Sequence, residues 1–565
     1  MAAKDLIAVS KPSSLASHFD SKEVVQDHTA NELVFAVVGH VGSGTSLIAR
    51  ALQRILGASG YQTSILKATG VISDIKKLSG LNAKSIERAK VMQQLGDALR
   101  EKDPAAIARA LALRIRTTRA EQMNLTDIGN APVKPDAARR AYVLDSLKHP
   151  AEVELLRRVY VSSFLLIGIA CNYEKRLLRL TAKFRDAGNA AAEDFMSTDE
   201  KSKVSHGQQV ASTFHLADAF IDNSSDEHHP DGETNNAWRV PAELERIVKI
   251  VTHEQVVRPY PSETAMHAAY AAQTQSACLS RQVGAALIDA HGNLISTGTN
   301  EVPRAGGGVY GEDPSAPLDE PDHRCAYKNK YCSSTKEQHS IISEIVARLE
   351  AHGATVQTST LREILLGSRI TQLLEFSRAV HAEMDALLGA ARTGHSTVGT
   401  KLFVTTFPCH YCARHIVAAG VDEVQYIEPY SKSRAKDLHS DSITVDAKDW
   451  APPSTANGRR AKVLLRPFVG VAPRLYRRAF FKDRELKATN GDMQIQPADW
   501  GSPWQVLRVS YADLEAALLR GSEAEAKEPS EPAQFASKPE NQAVVHELPR
   551  TIAKKHAADD PSHDG

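Results

Sequence analysis

Two short clusters, His381-Ala382-Glu383 and Pro408-Cys409-His410-Tyr411-Cys412, constrain this chain more than any other feature. One imidazole and two thiolates are the donors that suit a tetrahedral zinc ion, at bond lengths of about 2.0–2.3 Å. Any fold that holds them must bring both clusters to one point. Cys409 and Cys412 are spaced to share one face of a first helical turn. His381 opens the segment HAEMDALLGAAR, whose apolar spacing reads as a second helix, and the strand-like run Lys401–Thr406 lies between them. Two helix N-termini then face the metal, and their partial positive charge favours thiolate over thiol. Three protein ligands leave a fourth position for water, as in a catalytic site. Glu383 follows His381 closely enough to reach that water without ligating the ion, in the position of a general acid–base. A closed structural zinc would need a fourth ligand, from His410, His415 or a distant cysteine. It would leave the His-x-Glu spacing unexplained.

The chain around these clusters is too long, at 565 residues, for one ordinary core. Its 42% hydrophobic and 24% charged residues are those of a globular protein. Lys+Arg and Asp+Glu balance at 68 each, so no overall charge points to a duplex nucleic-acid partner. Six cysteines in such a length do not make a disulfide framework, and metal binding in a reducing compartment is the better reading. The opening MAAKDLIAVSKPSSL lacks an apolar signal core. The apolar run Val159–Cys171 is too short to span a bilayer and reads as a buried strand. A cytoplasmic protein without membrane contact is expected.

Five segments are expected. Residues 1–30 read as a polar arm and 31–250 as an α/β unit. Residues 251–450 form a second α/β unit, 451–520 its extension, and 521–565 a disordered tail poor in aromatics. In the first unit the strands are Asn31–Val38, Tyr61–Leu66, Ala141–Asp145, Phe164–Ala170 and Ala219–Asp222. Residues 81–130 and Glu243–Val251 read as helical. The second unit opens with a helix over Glu263–Leu279. A hairpin of Val283–Asp289 and Leu294–Thr299 follows, then a long polar loop, 301–340, and a later strand at Val424–Ile427.

Between the first strand and a following helix lies Gly39-His40-Val41-Gly42-Ser43-Gly44-Thr45-Ser46. This has the length and glycines of the phosphate-cradling loop G-x-x-x-x-G-K-[ST], in the required strand–loop–helix context. Gly39, Gly42, Gly44, Thr45 and Ser46 are thus candidate nucleotide-binding residues, with Ser46 a candidate Mg²⁺ ligand and Asp145 its acidic companion. Thr45 stands where the lysine belongs, which argues against efficient phosphoryl transfer. Arg176, Arg179 or Arg185 are candidates to replace that charge. A Gly turn with a purely structural role is the alternative.

H-x-E…P-C-x-x-C is the known signature of zinc deaminases, so the chain matches that pattern. The stretches Ser280-Arg281-Gln282-Val283-Gly284-Ala285 and Gly298-Thr299-Asn300-Glu301-Val302-Pro303 closely resemble the dCMP-type branch of the cytidine/dCMP deaminase superfamily. That resemblance covers 260–430 and implies that Asn300 contacts the sugar. A broader one covers most of the chain. The lysine-less loop domain, fused to such a deaminase and followed by EPYSKSRAKDLHSDSI and RPFVGVAPRLY, resembles the bacterial anti-phage dCTP deaminases. It implies an α/β protein with an N-terminal P-loop kinase-like parallel-sheet domain and a C-terminal cytidine-deaminase-like α/β/α domain. It also implies one catalytic Zn²⁺ per chain, and Mg²⁺ with any nucleotide at the loop. The implied reaction is hydrolysis of dCTP, and of dCMP, to deoxyuridine nucleotides and ammonia, which depletes dCTP during phage infection.

A regulatory nucleotide, or a phage-derived or RNA regulator, and a homo-oligomer are the expected partners. Arg281, Arg304, Lys328, Lys330, Lys432 and Lys436 are candidates for the substrate phosphates, with Lys432 and Arg281 foremost. Cys278, Cys325 and Cys332 with His323 are a weaker candidate for a second zinc. A housekeeping dCMP deaminase would not need the N-terminal half. A nucleic-acid editing deaminase would want a basic, aromatic-lined channel, which 6% aromatics and zero net charge disfavour. A sensor that keeps the fold without the reaction would not need Glu383.

Overall fold

The computed structural model describes residue 26 and residues 29–508, apart from 77–84, 186–187, 201–206, 230, 316–321, 329, 354, 374, 431–432, 448–449, 457–460 and 497–500. The expected tail, 521–565, and nearly all of the expected arm lie outside the described residues. The first sheet is built on β1 (Glu32–Gly39), every residue of which is buried. Its side chains alternate between two cores. Leu33, Phe35 and Val37 pack with Ile48, Leu52 and Leu56 of α1 (Thr45–Ala58). Val34, Ala36 and Val38 pack on the other face. A strand covered on both faces must be apolar throughout, which is why ELVFAVV shows no alternation.

The chain continues through β2 (Gln62–Lys67), α2 (Ile86–Lys102), α3 (Ala106–Gln122), β3 (Arg140–Asp145), α4 (Pro150–Tyr160) and β4 (Phe164–Ala170). Then come α5 (Tyr173–Lys183), α6 (Asn189–Glu200), β5 (Ala219–Asp222) and α7 (Val240–Thr252). The strands run parallel in the order β2-β3-β1-β4-β5. The chain leaves β1 towards one edge and later fills the other, so the carboxyl end of β1 is a topological switch point. The loop 39–46 leaves from that end.

Two local expectations in the first α/β unit need correction. The apolar run Val159–Cys171 is not one strand: α4 ends at Tyr160, a 3₁₀ turn covers Val161–Ser163, and only then does β4 begin. His149 caps α4 and Pro150 opens it, so Val159 and Tyr160 are the end of a helical stripe with Val153 and Leu156. The helical stretch 81–130 is two helices, parted at Asp103-Pro104 because proline cannot continue α2.

The second sheet takes β6 (Gly284–Ile288) and β7 (Leu294–Thr299), an antiparallel hairpin, after α8 (Pro261–Gln273). Next come α9 (Ser333–Ala351), α10 (Ala382–Arg392), β8 (Lys401–Thr406), α11 (His410–Ala418), β9 (Glu423–Glu428), β10 (Ile443–Thr444) and β11 (Val463–Pro467). The order is β10-β11-β9-β8-β6-β7, with β8, β9, β11 and β10 parallel. The expected loop 301–340 ends inside α9. That helix buries only Gln338, Ile342 and Val346, a stripe too narrow to show as periodicity. The helix expected to reach Leu279 stops at Gln273. Beyond it, Ser276 donates to the Asn300 carbonyl and Ala277 N–H to the buried Glu301, and these contacts hold the chain out of helix.

The segment expected to extend only the second unit serves both sheets. β11 joins the second sheet, and the next strand, β12 (Gly470–Val471), pairs antiparallel with β5 of the first before α12 (Pro473–Phe480). Phe468, between them, packs on Phe220 of β5 with ring centroids 6.2 Å apart. One apolar cluster therefore runs from β1 through Phe220 and Phe468 to Ala269, Ala286 and Phe403 of the second unit. Glu263, fully buried at the start of α8, accepts two bonds of 2.7 Å from Arg246 of α7 and one of 2.7 Å from the Val471 N–H of β12. Glu263→Ala strands a guanidinium and an amide. It should destabilise the protein by about 3–5 kcal/mol in urea unfolding. The double change Glu263→Met/Arg246→Met should cost less than the single one, and equal costs would remove the ion pair from this account.

Candidate active site

His381 is the N-cap residue of α10 and Cys409 that of α11. The Cys409 sulfur accepts the Cys412 N–H at 3.4 Å, which ties both thiols to the first turn. Two helix N-termini thus meet at one place. His381 Nδ1 lies 3.3 Å from each sulfur, and all three donor atoms fall within 4.8 Å of one another. Ligands on a tetrahedral ion with bonds of 2.0–2.3 Å stand roughly 3.5 Å apart, so the trio fits zinc. Among the described residues no fourth histidine, cysteine or carboxylate joins the group, and a closed structural site through His410 or His415 is not assembled. The helix is held close by β7. A Cβ at Gly298 would come within 2.2 Å of the Ala382 carbonyl, so only glycine lets α10 approach this near. Ser296 donates to the Ala386 carbonyl and Thr299 N–H to Asp385, which fixes the helix along the strand.

The cluster is electrostatically prepared for a cation. The Cys412 thiol beside Cys409 holds the latter down to about 4, with His381 adding to the effect. The same contact, with burial, pushes Cys412 well up. Cys409 in turn raises His381 to about 9. A metal that binds here displaces protons from the imidazole and the second thiol. Glu383 is buried at 4% exposure against the same group. Burial first, and then the negative charge of Cys409, raise it to about 6. A carboxyl in that range takes and returns a proton readily near neutral pH.

A cavity of about 390 Å³ opens from His381, Glu383 and Cys409. Asn300 lines it, yet its amide is engaged: Oδ1 accepts Val283 N–H at 2.6 Å and Nδ2 donates to the Arg281 carbonyl at 2.7 Å. It braces the cavity rim whatever else it contacts. Arg281 also lines the cavity and pairs with Glu428 at 3.1 Å. Lys432 lies outside the described residues. Arg304, Lys328, Lys330 and Lys436 do not line the cavity.

Arg378, which sequence reasoning missed, does line it. Its guanidinium donates to the His323 carbonyl at 3.2 Å and has no carboxylate partner among the described residues. Its place just ahead of His381 was the only available signal. Ser333 and Ser334, at the start of α9, form part of the same wall. Cys278, Cys325 and Cys332 line it as well, but with His323 they form no metal group among the described residues. The second zinc is therefore not supported.

The loop 39–46 borders a separate cavity of about 720 Å³, lined by Gly39, Gly42, Gly44, Thr45 and Ser46. Ser46 Oγ donates to Asp145 Oδ2 at 2.6 Å, so the hydroxyl and the carboxylate at the end of β3 stand together. No side chain caps α1. Of Arg176, Arg179 and Arg185, only Arg179 lines the cavity, and it is held by the Asn223 carbonyl at 3.0 Å and by Asp226.

Residues 260–428 match the family model described as the cytidine and deoxycytidylate deaminase zinc-binding region. Deoxycytidylate deaminase of Enterobacteria phage T4 is 32% identical over 176 residues, which is 31% of this chain and 80% of the phage protein. Its counterpart in Enterobacteria phage T2 is 32% identical over 178 residues, 31% of this chain and 82% of that protein. A solved dCMP deaminase of cyanophage S-TIM5, in complex with dCMP and dUMP, is 21% identical across 32% of this chain and 90% of that one, at a TM-score of 0.19. The hairpin-led α/β sheet with a His/Cys/Cys metal site defines a zinc-binding deaminase, and the chain belongs to the cytidine and deoxycytidylate deaminase family. Residues 1–259 lie outside the match. No helix among the described residues is long and apolar enough to cross a membrane.

Proposed function

We propose that the chain hydrolyses the exocyclic amine of deoxycytidine nucleotides, releasing ammonia and deoxyuridine nucleotides. The observation that carries this reading is Glu383 buried against His381, Cys409 and Cys412 at the floor of an open cavity. Zinc held by those three residues would lower the pKa of a coordinated water towards neutrality. Glu383 receives the water's proton, passes a proton to ring N3, and then assists the leaving ammonia. The relatives from phages T4 and T2 are named deoxycytidylate deaminases, which favours dCMP as one substrate. Arg378, at the cavity wall with no carboxylate partner among the described residues, is the cation we assign to the substrate phosphates, beside Arg281. Arg378→Ala should raise KM for dCMP at least tenfold while changing turnover of unphosphorylated deoxycytidine little. Equal effects on both would end the phosphate role.

The wider reading extends this to dCTP and to defence against phage. Its support is the resemblance over most of the chain, together with an N-terminal half whose parallel order and loop 39–46 suit a kinase-like phosphate-binding unit. We read that half as binding a nucleotide or other phosphorylated ligand, with Mg²⁺ at Ser46 and Asp145. It would regulate the deaminase without efficient turnover, because Thr45 replaces the lysine. In infected cells the wild-type chain should lower dCTP and raise deoxyuridine nucleotides, and Glu383→Gln should do neither. Unchanged pools with the wild-type chain would confine the enzyme to dCMP.

A further inference from the structure

The loop 39–46 lacks its lysine, yet the cavity it borders is rich in cations. Lys67 closes β2, Lys148 follows β3, and Lys183 closes α5, and all three line the cavity with Ser46 and Asp145. They are neighbours. Burial depresses Lys183, and the charges that act on it are those of Asp145, Lys67 and Lys148. Lys67 and Lys183 have no ion-pair partner among the described residues. Lys148 does have one. Its Nζ donates to Asp199 Oδ1 at 2.8 Å and to the Gly39 carbonyl at 3.2 Å. The other oxygen of Asp199 accepts the Val41 N–H of the loop at 2.7 Å. Asp199, on α6, is 2% exposed. A carboxylate bound at once by a loop amide and an ammonium occupies the kind of place where a phosphoryl oxygen sits in such loops.

We propose that Lys67, Lys148 and Lys183 replace, from three separate elements, the charge that Thr45 fails to provide, so that this cavity takes a magnesium-bound triphosphate, and that Asp199 fills its outer phosphate position until the ligand displaces it. The inference rests on the reading of the N-terminal half as a phosphate-binding unit. The ligand class follows from charge and size. Three ammoniums and a loop of amides match a polyphosphate better than a monoester. The Ser46–Asp145 pair offers two oxygens to a divalent cation. A volume of about 720 Å³ is that of a nucleotide-sized site.

The test uses the full-length, zinc-loaded chain and two probes that contain no cytosine, MgATP and magnesium tripolyphosphate, followed by calorimetry. Both should bind the unsubstituted chain. The double variant Lys67→Gln/Lys183→Gln, which strands no ion-pair partner among the described residues, should weaken both at least tenfold while its bound zinc stays unchanged. Asp199→Asn should tighten both several-fold by weakening the internal competitor. If neither probe binds the unsubstituted chain, the phosphate-binding reading of this half falls, and the inference with it. If the probes bind and the double variant stays within twofold of the unsubstituted chain, the inference alone falls. Displacement of MgATP by dCMP would place the probe in the deaminase cavity and overturn the assignment. Weaker binding by Asp199→Asn would overturn the role given to Asp199.

Discussion

Glu383→Gln should lose deamination by more than about a hundredfold, the scale expected when a positioned general acid–base is removed, while its zinc content stays at the wild-type level. The reason lies in where Glu383 stands. It follows His381 on the first turn of α10, is 4% exposed, and touches the metal trio without belonging to it. Glutamine keeps the shape and a hydrogen-bonding oxygen but moves no proton. The loss should fall on kcat, with KM for dCMP little changed. Metal analysis beside steady-state kinetics on dCMP checks both halves of the statement. Near-wild-type turnover would remove Glu383 from the chemistry, and loss of zinc would make it a structural residue.

Cys412→Ala should lose metal and activity together. Cys412 is 1% exposed, and its backbone N–H and thiol both face Cys409. Two remaining donors cannot close a tetrahedral site, so affinity should drop by several orders of magnitude. Chelation of the wild-type chain should reproduce the loss, and added zinc should restore wild-type activity but not that of the variant. Full zinc occupancy in Cys412→Ala would falsify its place as a ligand. The same experiment on Cys332→Ala, which lines the cavity but joins no metal group among the described residues, should leave one zinc per chain in place.

Legibility in the sequence followed from how local each feature is. His381, Glu383, Cys409 and Cys412 could be read directly, because helix geometry alone puts each cluster on one first turn. β1 and the hairpin were legible through apolar runs and a tight turn. Arg378 was not legible, since one arginine looks like any surface charge until a wall of the cavity is known. The phosphate candidates suffered the converse error: Arg304, Lys328, Lys330 and Lys436 are near the motifs in sequence and do not line the cavity. α9 was hidden because its buried stripe is only three residues wide.

What the sequence by itself determined is the grouping of His381, Cys409 and Cys412 with Glu383 beside them, and most strands of the two sheets, all set by spacing within single elements. What only the tertiary structure decided is everything assembled across elements. The segment after β11 crosses from one sheet to the other because Phe468 finds Phe220 and β12 finds β5. Asn300 closes the rim because the backbone of 281–283 comes to meet its amide. Lys67, Lys148 and Lys183 line one cavity with Asp145 although they come from the end of β2, the turn after β3 and the end of α5. Packing sets such distances between residues far apart in the chain, and no pattern along the chain encodes them.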